Sequence, residues 1–314
     1  MAETDWPAGE ELSEALARNN TLQPKLGPML ELLLSSQDQT LFSDAIITRI
    51  RGMLLSIARH VLRHQAEAMG ERAADAFVFA RSEDLAVQLS THQPLILHCH
   101  ALALETQCMD RMQSLYGLDP VLTPLIQDMI SSEDAGLASA AMALLASQTR
   151  FTQFQKRLEL PLTELSADLF HSVLTTWHGA SDETDVDSLA RAETKLRSEF
   201  DEGKSRISLL DRVISTLGGA GDQTLEIDQA GVSLFLSAIA SSVGMRRDQA
   251  ALATHETQIA RLLLALRSTG RKPQDCEAAV LRIHPEAEVP YGLDQIGTRE
   301  AKAMMSVISS KTIG

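Results

Sequence analysis

The stretch ITRIRGMLLSIARHVLRHQAEAMG, residues 47–70, carries the clearest structural pattern in the chain. Its apolar residues recur at intervals of three and four, which is the repeat of one face of an α-helix. The residues that form this apolar stripe are Ile47, Ile50, Leu54, Ile57, Val61 and Ala68. We therefore predict an amphipathic helix that buries one face in a core.

Most of the chain shows the same period, interrupted by short turns that contain glycine or proline. We predict that helices end at Gly117 and Gly179, and that another begins with Asp119 as the N-cap and Pro120 at the first helical position. The best strand candidate, AFVFARS (76–82), has no partner segment with hairpin turn residues. The remaining predicted helices cover 132–160, 187–219 as one helix or a pair bent near Gly203, and four segments punctuated by Gly244, Gly270 and Pro285.

These patterns predict an all-α fold, either an irregular helical bundle or a HEAT-like array of antiparallel helix hairpins. No self-similarity at a fixed period is visible, so the two architectures stay open at this point. The polar, acidic segment HGASDETDVD (178–187) is the best candidate for a boundary. We expect an N-terminal helical domain over 1–180 and a C-terminal one over 185–314, with the linker at 179–187, either separate or packed as one unit.

Composition narrows the class of protein. The 314 residues carry a formal net charge of −14, which disfavours binding to nucleic-acid phosphates and to anionic lipid. Three cysteines without regular spacing do not form a disulfide framework, and reduced thiols indicate the cytoplasm. The acidic N-terminus lacks the apolar core of a signal peptide, and no apolar run reaches the ~18 residues of a membrane span.

Two histidines of the 47–70 helix are candidate metal ligands. His60 and His64 are four residues apart, so they lie on the same side of the helix with Glu67 and Glu71, at the border of the apolar stripe. Histidine pairs at this spacing can chelate one ion. A zinc-protease helix has glutamate directly after the first histidine, where this chain has Val61, and the sequence indicates no unique third ligand.

The same residues resemble the motif of histidine phosphotransfer domains, which are helical bundles. That motif runs His, any residue, Leu or Ile, Lys or Arg, Gly, four residues, an apolar residue, Gly. The matching residues in this chain are His60, Leu62, Arg63, Met69 and Gly70. His64 stands where the family has the glycine that leaves the imidazole accessible. The resemblance implies His60 as the phosphoacceptor and Arg63 as the charge that holds the phosphoryl group.

A third interpretation assigns these residues no chemistry, because the border of a helix tolerates both histidine and glutamate. The segment LHCH (97–100) is interpreted in the same way. On a helix His98 and His100 point about 160° apart, so packing explains them and Cys99 better than a shared metal or a nucleophile pair.

The segment TRFTQFQKR, residues 149–157, is the local basic and aromatic patch of an acidic sequence. Arginine beside aromatic residues is typical of interface hot spots. The candidate partner-binding residues are Arg150, Phe154, Lys156 and Arg157. In the alternative interpretation the phenylalanines enter the core and the bases face solvent. Trp177 and His178, at the end of the next helix, either extend this surface or only close the helix end.

No nucleophile–base pair, cofactor fingerprint or strong ligand cluster emerges from the sequence. We therefore expect a cytoplasmic helical interaction, scaffold or regulatory protein that binds a protein partner and has neither catalytic activity nor a cofactor. The alternatives are a signalling phosphotransfer protein that uses His60, and a metal-binding helical protein that uses His60 and His64.

Overall fold

The structure, a computed structural model, describes residues 10–35, 44–70, 74–181, 186–218 and 222–311. Within these ranges only the backbone is described at 10, 11, 19, 21–24, 31–35 and 306–311. The described residues form helices and no strand, so the all-α prediction is confirmed. The helices are α1 (Glu10–Ser35), α2 (Asp44–Met69), α3 (Ala74–Leu89), α4 (Gln93–Tyr116), α5 (Pro124–Ile130), α6 (Ala135–Lys156), α7 (Ala167–Gly179), α8 (Val186–Glu199), α9 (Arg206–Thr216), α10 (Ile227–Val243), α11 (Arg247–Ala253), α12 (Ile259–Ser268), α13 (Pro273–Ile283) and α14 (Thr298–Lys311).

The chain divides into two compact units. The α2 unit comprises Gly27–Ala103 and Ala146–Leu209. The α10 unit comprises Met1–Leu26, Leu104–Leu145 and Leu210–Gly314. The domain boundary at 179–187 and the HEAT-like arrangement stay predictions, and residues 182–185 of that linker lie outside the described residues.

Helix α2 is the centre of the α2 unit. It packs against α3, α7 and α8. The predicted stripe residues from Ile47 to Val61 are all buried, which confirms the core-facing side of this helix. Trp177 of α7 is fully buried, and its indole N–H donates to the Gln65 side-chain oxygen of α2 at 2.9 Å. This bond satisfies two polar groups that would otherwise be costly to bury.

Helix α10 has the corresponding place in the α10 unit. It packs against α5, α11 and α12, and nearly all of its residues up to Ala240 are buried. The helix is kinked at Gly231, whose backbone has φ 71° and ψ 169°. A Cβ atom on Gly231 would lie 2.4 Å from the Thr123 methyl carbon, so both the conformation and the space require glycine.

A buried ion pair joins α4, α10 and α11 within this unit. The Arg247 guanidinium donates to both carboxylate oxygens of Glu105 at 2.8 Å, and Glu105 is fully buried. Ser233 donates to Glu105 at 2.8 Å, and Arg247 also donates to Ser237 at 2.9 Å. The bidentate geometry and the additional hydrogen bonds are what a buried charge pair needs to offset its desolvation.

Several predicted helix ends are confirmed. Helix α4 ends before Gly117, whose N–H donates to the carbonyl of Gln113 at 2.9 Å, and α7 ends at Gly179. The segment from 187 onward forms the helix pair α8 and α9, broken around Gly203.

Other predicted helix ends were wrong. Helix α5 begins at Pro124 with Thr123 as its N-cap, because the Asp119 carboxylate instead accepts N–H groups of the next two residues after Pro120 and forms a separate turn. Helix α6 begins at Ala135 rather than at 132, and it ends before 160. The helix predicted between Gly244 and Gly270 is two helices, α11 and α12, because His255 starts a 3₁₀ turn between them.

No single helix in the described part of the chain is long and apolar enough to cross a membrane. One bent pair, Ile227–Val243 with Arg247–Ala253 at 115°, meets the requirement on length and composition alone.

Candidate functional site

A cleft of about 630 Å³ opens in the α2 unit, between one side of α2 and the turn that follows α6. We call it the basic cleft. Its apolar lining consists of Gly52, Leu55, Phe154, Leu158 and Pro161. Its polar lining consists of Ser56, Arg59, His60, Arg63, His64, Arg157 and Glu159.

The turn after α6 is built by a Schellman motif at the helix end. The N–H of Leu158 donates to the carbonyl of Gln155 at 3.2 Å, and the N–H of Glu159 donates to the carbonyl of Phe154 at 2.9 Å. The motif places one residue in the left-handed conformation, and that residue is Leu158, with φ 58°. A leucine in this conformation costs roughly 1–2 kcal/mol relative to the right-handed helical region.

Helix α2 holds this turn in place along one face. A Cβ atom on Gly52 would lie 2.5 Å from the Leu158 Cβ and 2.9 Å from its carbonyl oxygen, so the absence of a side chain allows the close approach. One turn on either side, Arg49 donates to a carbonyl of the last turn of α6 at 3.0 Å, and Ser56 accepts the N–H of Leu160 at 3.2 Å. These contacts set the position of the turn, and hence the backbone position from which Arg157 extends.

Arginines dominate the charge of the cleft. Arg59 and Arg63 lie one turn apart on α2, and Arg157 belongs to the turn after α6. No described residue forms a hydrogen bond or an ion pair with the guanidinium of Arg59 or Arg157. Arg63 pairs with Asp75 at 3.2 Å, but both side chains are more than half exposed. Glu159 is the one carboxylate among the lining residues.

His60 and His64 both line the cleft and stack on each other, with ring centroids 5.3 Å apart and ring planes 21° apart. Desolvation lowers the pKa of His60, the neighbouring His64 lowers it further, and Glu199 acts in the opposite direction. The His60 residue still has an exposed edge. His64 is only 12% exposed, and its nearest carboxylates, Glu67 and Glu199, lie at 3.9 and 3.8 Å, beyond hydrogen-bond distance. Because its pKa is lowered from the ordinary value, the His60 ring is mostly neutral at pH 7.

The cleft unites two of the predicted candidate sites. His60 and Arg63 were predicted as a phosphoacceptor and its partner, and Phe154 and Arg157 as partner-binding residues. All four line the same space, which sequence separation alone did not suggest. Arg150 and Lys156 are exposed on α6 or its last turn but do not line the cleft. Trp177 does not extend the surface because it is fully buried, and His178 pairs with Glu193 at 3.1 Å.

A metal site at His60 and His64 would need a third ligand. Within the described ranges, no group of three His, Cys, Asp or Glu side chains is placed to hold an ion. Glu71 lies outside the described residues, and Glu67 bonds to Lys195 at 2.9 Å. An imidazole nitrogen binds a metal through a lone pair in the plane of its ring. The rings of His60 and His64 are stacked and nearly parallel, so their lone pairs point in parallel planes and do not converge on one ion.

The histidines and cysteine of the LHCH segment lie inside α4, as predicted. Cys99 and His100 are buried, and His98 is largely buried. Burial raises the pKa of the Cys99 thiol to about 12, which removes the thiolate needed for nucleophilic chemistry at neutral pH. All three cysteines, Cys99, Cys108 and Cys276, are free and buried.

Sequence reasoning missed seven residues of the cleft, which are Gly52, Leu55, Ser56, Arg59, Leu158, Glu159 and Pro161. Arg59 was detectable, because it precedes Arg63 by one helical turn on the same face. Gly52 and Leu158 carry no sequence signal for their close approach, since they are far apart in the chain. Glu159 lies two residues after the basic segment 149–157, and the sequence pattern did not mark it as part of a site.

Comparison of the chain with protein-family models, with curated proteins and with solved structures finds no match, so the function is inferred from this site.

Proposed function

We propose that the protein is a helical interaction or regulatory protein, and that the basic cleft captures an acidic group carried by a protein partner. The observation that carries this proposal is the pair of guanidinium groups, Arg59 and Arg157, that face one cleft with no partner among the described residues. In a chain of net charge −14, carboxylates are plentiful. Like charges gathered without counter-charges cost electrostatic free energy, and a bound anion offsets that cost.

The dimensions and the apolar lining support a side chain or short segment as the occupant. About 630 Å³ falls within the range of small-ligand pockets, which is too small for a whole helix. Phe154 and Leu158 supply apolar contact beside the arginines. Arginine and aromatic residues are both enriched in interface hot spots.

The test is isothermal titration calorimetry of the full chain with an acidic peptide, three glutamates and one leucine in a Gly-Ser background. The double variant Arg59→Ala/Arg157→Ala is expected to weaken binding at least about tenfold, because each charge-assisted hydrogen bond contributes roughly 1.5–3 kcal/mol. The matched control, Arg150→Ala/Lys156→Ala, removes the same charge near the cleft and is expected to leave binding unchanged. No binding of any acidic peptide by the wild type, or equal weakening by both variants, contradicts the proposal.

We also propose a cytoplasmic location. All three thiols are free and buried, and reduced cysteines are usual in proteins of that compartment.

The exposed edge of His60 favours a second candidate function, phosphotransfer. Its neutral ring nitrogen could attack the acyl phosphate of a phosphorylated receiver domain. The P–N bond would form as the P–O bond to the receiver aspartate breaks, and the aspartate carboxylate would leave. Incubation with a ³²P-labelled receiver tests this. Label that is transferred to the wild type and absent from His60→Gln supports the candidate, and label retained by His60→Gln eliminates His60.

A further inference from the structure

We propose that the acidic group held in the basic cleft is a phosphate monoester, carried by a phosphorylated serine or threonine of the partner, rather than a carboxylate. This inference rests on the proposed function above and names the chemistry of its ligand.

The directions of the donors favour phosphate. Arg59 and Arg63 reach the cleft from α2, and Arg157 reaches it from the turn after α6, so the guanidinium groups approach from two separate elements. A carboxylate has two coplanar oxygens and is satisfied by one guanidinium in a bidentate pair. A phosphate monoester has three terminal oxygens and a charge of about −1.5 to −2 at pH 7, so it takes several donors from different directions.

The available charge also favours a dianion. Two of the three arginines have no ion pair with described residues, and the third is held only by Asp75. That pair is exposed on both sides, so it is weak and can exchange for a ligand. Glu159 opposes one positive charge. Among the lining residues alone, three arginines and one glutamate leave an excess of two positive charges, which matches a phosphate monoester better than a single carboxylate.

The backbone of the site is held by contacts within the protein that need no ligand. The turn that carries Arg157 is closed by two backbone hydrogen bonds and docked on α2 through the contact between Leu158 and Gly52. Leu158 keeps a left-handed backbone conformation there, and such strained residues cluster at functional sites. A backbone that is already ordered lowers the ordering cost of binding.

His60 couples proton uptake to binding of the ligand. The positive groups facing His60 are Arg59, Arg63 and Arg157, with His64 stacked on it, and the negative ones are Glu159, Glu199 and Glu67. A dianion among them favours the protonated imidazole, so binding at pH 7 takes up a proton. Affinity is expected to rise from pH 8 to about pH 6 and then to fall, because the phosphate itself becomes a monoanion near its second pKa of about 6.

The experiment uses the full chain and three peptides that are identical except for one residue, which is phosphoserine, glutamate or serine. Calorimetry at pH 7 is expected to give at least about tenfold tighter binding for phosphoserine than for glutamate, and no binding for serine. Arg59→Ala/Arg157→Ala is expected to remove this preference, and Arg150→Ala/Lys156→Ala to keep it. Titrations in buffers of different ionisation enthalpy measure the proton uptake, which His60→Gln is expected to reduce.

The outcomes distinguish failure of the phosphate inference from failure of the proposed function. If glutamate binds as tightly as phosphoserine, the ligand is a carboxylate and the phosphate inference is overturned, although the proposed function stands. If none of the three peptides binds but the triglutamate peptide does, the phosphate inference is overturned as well. If inorganic phosphate alone binds as tightly as the phosphopeptide, the occupant is the free ion, and the inference that a partner protein carries the phosphate is overturned. If no acidic probe binds, both proposals fail.

Discussion

Leu158 has a left-handed backbone conformation, which residues with a side chain rarely adopt. The turn that contains it fits against helix α2 because Gly52 has no side chain. Gly52 provides the space, since any Cβ atom there would overlap both the Cβ and the carbonyl oxygen of Leu158. The two residues therefore act together. Gly52 leaves room for the turn, and the turn determines the backbone position of Arg157.

Gly52→Ala should accordingly destabilise the protein by about 1–3 kcal/mol, the usual cost of forcing an extra carbon into a packed contact. Urea unfolding followed by circular dichroism measures this change. Gly179→Ala is the control, because no atom lies within 4 Å of a Cβ at that position. Combining Gly52→Ala with Leu158→Gly should recover part of the loss, since the closest clash is then removed. An unchanged unfolding midpoint in Gly52→Ala would show that the turn is not docked in this way.

Among the elements, the junction of α4, α10 and α11 depends on one buried charge pair. Replacing Glu105 with glutamine removes the carboxylate that is hydrogen-bonded to Arg247, whose side chain is only 13% exposed, and leaves the more distant charge of Asp211. We expect the free energy of unfolding to fall by about 3–5 kcal/mol, because removing one partner of a buried ion pair leaves the other charge buried without full compensation. Asp228→Asn is the control, since its pair with Arg282 is partly exposed on both sides and should contribute only about 0–1 kcal/mol. Equal unfolding free energies for the two variants would contradict the role given to Glu105.

The elements also show what could be predicted from sequence. Helix ends at Gly117 and Gly179 were predicted because glycine is the usual residue at a helix C-terminus. The end of α6 was not, because leucine occupies the left-handed position at 158 and no residue type marks it. The break between α11 and α12 contains neither glycine nor proline, so nothing in the local sequence indicated it.

For the candidate site, the sequence identified His60, Arg63, His64, Phe154 and Arg157, but it did not show that they line one cleft. His60 and Arg63 were selected by spacing on one helix, and Phe154 and Arg157 by local composition. Helical spacing identifies which residues share a face, but it does not say which distant segment that face contacts. The contact is made through Gly52 and Leu158, whose fit depends on tertiary packing alone.

At the scale of the whole molecule, three histidines make stability depend on pH. Desolvation lowers the pKa of His60, His255 and His284. For His284 the cause of a neutral ring is visible, because Arg111 donates to its Nδ1 at 2.8 Å and its Nε2 lies 2.7 Å from the carbonyl oxygen of Thr254. Nδ1 therefore has to remain unprotonated.

Stability should fall on acidification. The unfolded chain takes up these protons near pH 6.5 and the folded chain only at lower pH, so protonation favours unfolding as pH drops below about 7. Urea unfolding at pH 7.5 and at pH 5.5 measures the difference. His284→Gln should make the loss smaller, whereas the exposed His171→Gln should leave it as in the wild type. A stability that is constant or rises toward pH 5.5 contradicts this account.

The overall charge should restrict what the basic cleft accepts. A net charge of −14 repels long polyanions, while a local cluster of arginines still attracts a single phosphate. We expect no gel-shift of a 20-nucleotide single-stranded DNA at physiological salt. A shift that disappears in Arg59→Ala/Arg157→Ala would reassign the cleft to nucleic acid.

The buried indole of Trp177 has a practical consequence. The chain contains two tryptophans, Trp6 and Trp177, so Trp6→Phe leaves Trp177 as the single tryptophan, which excitation at long wavelength selects over the two tyrosines. Its N–H donates to Gln65 across the contact between α7 and α2, away from water. The emission maximum should therefore lie at short wavelength and shift to the red when those two helices separate. This one signal, compared with the helical content of the entire chain, would reveal whether the framework around the basic cleft opens before the rest of the protein unfolds.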